Sequence, residues 1–257
     1  MTIPRSGSSF SRVGRLVILS GPSCAGKSPL ARTLGRFHPD LRAKLQPIVL
    51  SNSRSPRPGE RDGEDYHFRS REQIETLRDR GRYVVMDVRG DLQALDLEDL
   101  SALLERGDAF FEGNPFIGRT LQTHPELQDV NRLSMFLTPL SREEILFLRD
   151  HARVSLPDLV ADVMRRKLVR RVQRQKTHLS LKDLEEIERR AGSAYGELKE
   201  AHWFEHVIPN HDGEDSDNWE AFYYPLGEAR RAFLAVVALL RGEEPTGVER
   251  WEKGLLP

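Results

Sequence analysis

Residues 16–28 read Leu-Val-Ile-Leu-Ser-Gly-Pro-Ser-Cys-Ala-Gly-Lys-Ser. A short apolar run closes on Gly-x-x-x-x-Gly-Lys-Ser and a helix-compatible segment follows. That order of strand, glycine loop and helix is the context a phosphate-binding loop requires. Gly21 and Gly26 let the backbone of Pro22, Ser23, Cys24 and Ala25 wrap a phosphate chain with its N–H groups turned inward. Lys27 brings a mobile positive charge to the β- and γ-phosphates, and the Ser28 hydroxyl is placed to hold Mg²⁺. The next helix adds its positive N-terminal end, and Pro29 is tolerated because the first turn does not need that N–H. Cys24 lies among groups that favour an anion. It is read either as a reactive thiol of lowered pKa or as a small residue filling the loop.

A chain of 257 residues suits one domain with an insertion or two small ones. Its formal net charge of −1 gives no global argument for nucleic acid or a membrane surface as a partner. A single cysteine excludes an internal disulfide framework and fits a cytoplasmic location. No apolar run approaches the ~20 residues of a membrane helix. Residues 1–14 lack the hydrophobic centre of a secretory signal and read as a frayed arm.

After the loop, Leu30, Leu34 and Phe37 share a helical face that ends before Pro39. Gln46 to Leu50 is expected to be a parallel strand beside the first. Prolines and glycines then make a loop through Phe68, and Ser70-Arg71-Glu72-Gln73 is a capping box opening a helix. Tyr83 to Val88 reads as a strand, Leu95 to Gly107 as a helix, and Ala109 to Phe111 and Leu133 to Leu137 as strands. Ser141 caps a further helix, and Leu226 to Leu240 forms a last amphipathic one. Strands alternating with helices predict an α/β, doubly wound parallel sheet with helices on both faces. His202 and His206 are read as structural, and the acidic stretch Asp212 to Asp217 as a solvated loop. The role of residues 243–257 is not readable.

Arg54 and Arg57 stand on a proline-stiffened loop as two guanidiniums suited to one phosphate, with the Tyr66 hydroxyl as a further donor. Here a family resemblance appears. Gly21-Pro22-Ser23, then Ser-Arg-x-Pro-Arg-Pro-Gly-Glu from Ser53, then Asp-Gly-x-Asp-Tyr-His-Phe from Asp62, resemble guanylate kinase in order and separation. Residues 133–141, Arg190, Glu197 and Val207-Ile208-Pro209-Asn210 resemble its later segments, so the likeness covers roughly residues 15–240. It implies a P-loop kinase using ATP and Mg²⁺. Arg54, Arg57 and Tyr66, with Ser51 and Glu112, would hold a small phosphorylated acceptor. Arg149, Arg153 and Arg190 would stabilise the transferring group from the lid, and Asn210 would belong to the ATP side. The implied divisions are an acceptor subdomain at about 51–107, a lid insertion at about 150–189 and a tail from 243. A homodimer is compatible with this reading.

Three departures from the family pattern bear on the acceptor. Where the family carries a glutamate and a Tyr-Tyr-Gly segment, residues 84–87 and 91–94 read Val-Val-Met-Asp and Asp-Leu-Gln-Ala. Its Asp-x-Asp appears as Glu112-Gly113-Asn114, and Arg153 to Ile187 replaces a short lid. Arg165, Arg166, Lys167, Arg170, Arg171, Arg174 and Lys176 in that insertion are either a solvated face or a lid over a more anionic or bulkier acceptor than GMP. A site that loses a polar partner loses discrimination steeply, so GMP is not expected to be preferred. The alternatives are a kinase for a sugar phosphate, of the ribose bisphosphate kinase kind, or for an unusual nucleotide, and a non-catalytic guanylate-kinase-like binding module. Retention of Gly21, Gly26, Lys27 and Ser28 favours an enzyme.

Overall fold

The structure, a computed structural model, describes residues 14–257 apart from Pro58 and Ala152. Of the arm expected over residues 1–14, only Gly14 falls among the described residues.

Strand β1 (Leu16–Ser20) is buried along its whole length. Its unbroken apolar run, without alternation, is what a strand covered on both faces needs. Leu16 and Ile18 enter one hydrophobic cluster, Val17 and Leu19 the other. Helix α1 (Lys27–Phe37) follows the loop, and α2 (Pro39–Lys44) leads into β2 (Leu45–Pro47). Further along come β7 (Asp108–Gly113), α5 (Pro115–Thr123), β8 (Arg132–Thr138), α6 (Arg142–Arg149), α7 (Leu156–Gln175), α8 (Leu181–Lys199), β9 (His206–Pro209) and α9 (Gly227–Arg241). The parallel sheet has the order β2-β7-β1-β8-β9. Residues of α1 and α9 cover one face; residues of α5 to α8 cover the other.

Between β2 and β7 the chain builds a second, four-stranded sheet of order β4-β3-β6-β5. Its strands are β3 (Ser51–Asn52), β4 (His67–Phe68), β5 (Tyr83–Val88) and β6 (Asp91–Asp96). Helix α3 (Arg71–Glu75) packs on one face through Ile74, which meets Leu92 and Ala94. Helix α4 (Leu97–Arg106) returns the chain to the main sheet, where Leu100 and Leu104 join the larger cluster.

Several expectations need correction. The segment expected as a strand over Gln46 to Leu50 does not lie beside β1. It is shorter, sits at the sheet edge and pairs with β7. The helix expected from Leu95 begins at Leu97, because Asp91–Asp96 pairs with β5 across a two-residue turn at Arg89-Gly90. Both turn residues have positive φ (57° and 84°), the geometry that matches the twist of a tight hairpin. Helix α5 was not expected. It is announced by Asn114, whose side chain caps it, and by Pro115 in its first turn. Gly118 sits inside it because a Cβ there would meet Ser20 Oγ at 2.4 Å, so the glycine lets the helix touch β1.

The last fifteen residues are part of the body. Glu249 bridges to Val207 at the edge of β9, and Trp251, Leu255 and Leu256 are buried in the larger cluster. Tyr195 and Lys199 of α8 both donate to the Pro257 carbonyl, at 2.6 and 3.0 Å. Replacing a buried tryptophan by alanine removes its contacts and leaves a cavity. Trp251→Ala is therefore expected to cost about 3–5 kcal/mol, read as a lowered midpoint in urea unfolding. An unchanged midpoint would mean that the segment does not hold α8 against the sheet.

Candidate active site

The phosphate loop owes its shape to three left-handed residues, Gly21, Cys24 and Gly26, at φ of 148°, 68° and 102°. Helix α1 starts at Lys27, directly behind the loop, and so turns its N-terminal N–H groups toward it. Lys27 Nζ donates to the Gly21 and Pro22 carbonyls at 2.7 and 2.8 Å. Burial pushes its pKa down, while the carboxylates of Glu214, Glu112 and Glu197 pull it back up. Ser28 Oγ donates to Glu112 Oε1 at 2.9 Å. A hydroxyl beside a carboxylate at the foot of a phosphate loop is an oxygen donor set suited to Mg²⁺ with its waters. Burial raises the Glu112 pKa, and Lys27 and Ser28 oppose that shift.

Residues 210–219 close over the back of the loop. Asn210 is fully buried, and its Nδ2 donates to Ala25 O at 2.9 Å and to Asp212 O at 2.7 Å. It therefore holds the loop from behind and does not line the cavity. A Cβ on Gly213 would stand 2.0 Å from Cys24 O, so only glycine allows this approach. The Asp212 carboxylate accepts from Ser216, Asn218 and the Ala229 N–H at the start of α9. Asp215 is buried, 3.4 Å from Lys167 and 3.6 Å from Arg170, and Asp217 pairs with Arg174. The stretch expected to be a solvated acidic loop is thus the counter-charge of α7. The basic run of α7 is in large part paired, and Arg171 reaches the cavity.

A cavity of about 460 Å³ runs from the loop to the second sheet. It is lined by Gly21, Ser23, Cys24, Lys27, Ser28 and Glu112 at one end and by Arg54, Arg57 and Tyr66 at the other. Arg54 is held in place by a bidentate contact with Glu60, both at 2.6 Å, and lies over the Tyr66 ring. Arg57 pairs with Glu186 of α8 at 2.9 Å. Arg190 is buried and also pairs with Glu186, at 2.6 Å. Burial, then the charges of Arg57 and Arg171, bring the Arg190 pKa down to about 10. Guanidiniums that disfavour one another in a buried cleft leave a place for an anion.

Other expected residues stand elsewhere. Arg149 and Arg153 are exposed and do not line the cavity; Arg149 is 3.7 Å from Asp150. Ser51 does not line it either, because alternation along β3 turns the next residue, Asn52, inward. His202 lies in a tight turn with Nδ1 on the Lys199 carbonyl, and His206 lies in β9. Among the described residues no cluster of three metal-ligating side chains occurs.

Arg89 and Arg189 line the cavity without having been singled out for it, and so does Arg171, one of the basic residues read as either a solvated face or a lid. Arg89 extends from the β5–β6 turn to Ser23 Oγ at 3.2 Å and binds the fully buried Glu197 of α8. The signal for it in the sequence is the Arg-Gly pair of a tight hairpin. Arg189 donates to the Arg89 carbonyl at 2.7 Å and to Asp91 at 3.3 Å.

A family model described as guanylate kinase matches residues 13–88, from just before β1 to the end of β5. The guanylate kinase of Corynebacterium diphtheriae is 32% identical over 207 residues, covering 79% of this chain and 90% of that protein. That of Idiomarina loihiensis is 31% identical over 207 residues, covering 79% and 82%. A crystal structure of guanylate kinase from Anaplasma phagocytophilum superposes with a TM-score of 0.51 at 17% identity, over 90% of this chain and 86% of that one. The last likeness concerns the fold.

The reading of Cys24 as a reactive thiol is corrected by its surroundings. The side chain is 1% exposed, and burial, together with Glu214, pushes its pKa up to about 12 from an ordinary 9.0. Alkylating reagents attack the thiolate. At pH 8 the thiolate fraction is therefore about a thousandfold below that of an ordinary cysteine. Iodoacetamide is expected to label the folded protein slowly, with or without nucleotide, and as fast as a free thiol only after unfolding. Rapid labelling of the folded protein at pH 8 would contradict this burial.

Proposed function

The chain belongs to the guanylate kinase family of phosphotransferases, and on that premise we propose ATP-dependent phosphoryl transfer to a nucleoside monophosphate. The observation that carries this reading is one cavity with a phosphate loop at one end and the Arg54–Arg57–Tyr66 cluster at the other. The loop N–H groups and the N-terminus of α1 fit the triphosphate of ATP. Lys27, released from the Gly21 and Pro22 carbonyls, would follow charge onto the bridge between the β- and γ-phosphates. Ser28 and Glu112 would hold Mg²⁺, which neutralises charge on the phosphate oxygens when bound.

Arg57 and Tyr66 would fix the acceptor phosphate, with Arg54 held ready by Glu60. Arg190, joined by Arg171 and Arg89, would stabilise the charge spread over the transferring group. Arg149 and Arg153 stay candidates only for a lid that has moved. The phosphoryl group passes from one phosphate oxygen to another, so positioning and electrostatics suffice and no protein nucleophile is needed. The intact loop and Lys27 speak against the binding-module alternative.

Lys27→Ala is expected to abolish transfer while leaving the chain folded, read as a retained cooperative unfolding transition. Arg57→Lys is expected to raise the acceptor KM at least about tenfold and to leave the ATP KM nearly unchanged, since an ammonium cannot reproduce the guanidinium fork. A coupled ADP-release assay against nucleoside and sugar phosphates checks both. Full turnover by Lys27→Ala would end the kinase reading.

A further inference from the structure

The far wall of the cavity is the inner face of the second sheet. Asn52 of β3 and Gln93 of β6 are directly opposite each other in the antiparallel register and share that face. Alternation along β6 sends Leu92 and Ala94 to the α3 side and leaves Gln93 and Asp91 toward the cavity, which both line. Asn52 and Gln93 are 1% and 7% exposed, too buried to be solvated surface amides. Gln93 Oε1 is buried and has no hydrogen-bond partner among the described residues. Asn52 Oδ1 already accepts the Arg54 N–H at 3.2 Å, so its amide nitrogen is what it can offer a ligand. The carboxylate of Asp91 is engaged by Arg189.

A buried carbonyl left without a donor costs about 1–3 kcal/mol, and native proteins keep few of them without a use. Here one belongs to a side chain that lines the cavity shared with the arginine cluster, next to an amide able to donate. The pair offers one acceptor and one donor side by side. Its complement is a planar edge with one N–H beside one acceptor, as the pairing edges of nucleobases carry. Guanine differs from hypoxanthine by an adjacent second donor, the 2-amino group. Two adjacent donors are matched by a carboxylate, which accepts on both oxygens, and not by a carboxamide.

We propose that Asn52 and Gln93 form a carboxamide pair that reads a nucleobase edge of the acceptor through one donor and one acceptor, without selecting the 2-amino group of guanine. This rests on the kinase reading for the identity of the cavity, and it adds the class of group recognised at its distal end.

The test is calorimetric binding of GMP, IMP and ribose 5-phosphate to the full chain and to Gln93→Leu and Gln93→Glu, with turnover measured in parallel. The wild-type chain is expected to bind GMP and IMP within about threefold of each other, and ribose 5-phosphate at least about tenfold more weakly. Gln93→Leu should bring both nucleotides down toward the ribose 5-phosphate level while ribose 5-phosphate itself binds unchanged. That invariance also shows that the variant is folded. Gln93→Glu should favour GMP over IMP by about tenfold, read as a ratio so that any general effect of the added charge cancels. The proposal is overturned if ribose 5-phosphate binds as well as the nucleotides, if no nucleotide binds, or if neither variant changes these ratios. Phosphoryl transfer with ratios unmoved by Gln93 substitution would leave the kinase reading standing and remove this one. Nucleotide binding that depends on Gln93 without any transfer would do the reverse.

Discussion

A phosphate loop can turn its N–H groups toward an anion only if its carbonyls are accommodated on the other side. In this chain that condition organises everything around β1. Ala25 O is taken by the Asn210 amide, a contact that does not depend on where Lys27 points. Asn210 reaches it because β9 runs parallel to β8 and ends with its side chain behind the loop. The Asp212 carboxylate ties the same segment to the start of α9, and the Trp219 indole N–H donates to the Asp212 and Gly213 carbonyls. A buried polar group without a partner is costly, so the anion-binding geometry of six residues near the N-terminus depends on ten residues almost two hundred positions later.

The second constraint joins the two sheets. Arg89 adopts a left-handed backbone that a non-glycine residue takes only where its surroundings hold it. What holds it is Glu197: one oxygen of that fully buried carboxylate meets Arg89, Asn114 and Ser193. The turn of the smaller sheet, the start of α5 and the long helix α8 thereby meet at a single charge. About two turns of helix earlier, Arg189 returns to the Arg89 carbonyl, and Glu186 binds Arg57 from the loop between β3 and β4. Helix α8 thus bonds the Arg57 loop through Glu186 and the hairpin through Arg189 and Glu197, and the hairpin in turn reaches the phosphate loop through Arg89 and Ser23.

How much of this was legible follows the range of the interactions. The loop, β1 and the helix caps at Ser70 and Ser141 were readable, because each is set by residues within a few positions of one another. Helix α5 carried a readable sign in Asn114-Pro115, obscured by a glycine whose purpose is contact with β1. Strand β6 was lost because its six residues run without a break into the helix capped by Asp96. The two readings of Cys24 stayed open because loop position says nothing about burial by distant residues such as Asp215, 3.9 Å from its sulfur. The tail was unreadable for the same kind of reason: Trp251 gains its place only when α8 and β9 are already adjacent. Arg89 and Gln93 become candidates only when the register of β3, β5 and β6 is known.

The charge pattern shows why local signs outweigh the near-neutral total. Taken singly, the basic run of α7 and the acidic stretch after β9 each have the composition of a solvated surface. Together they neutralise each other, with Lys167 and Arg170 on Asp215 and Arg174 on Asp217. The pairing fixes α7 across the back of the phosphate loop and turns Arg171, one residue past Arg170, toward the cavity. On the other side Glu186 is shared among Arg57, Arg189 and Arg190, with Asp91 as a second partner of Arg189. Burial works against that carboxylate's charge and the arginines outweigh it, so that its pKa falls to about 2. Arg57 and Arg171 still disfavour the charge of buried Arg190, and a phosphate bound among them relieves that repulsion.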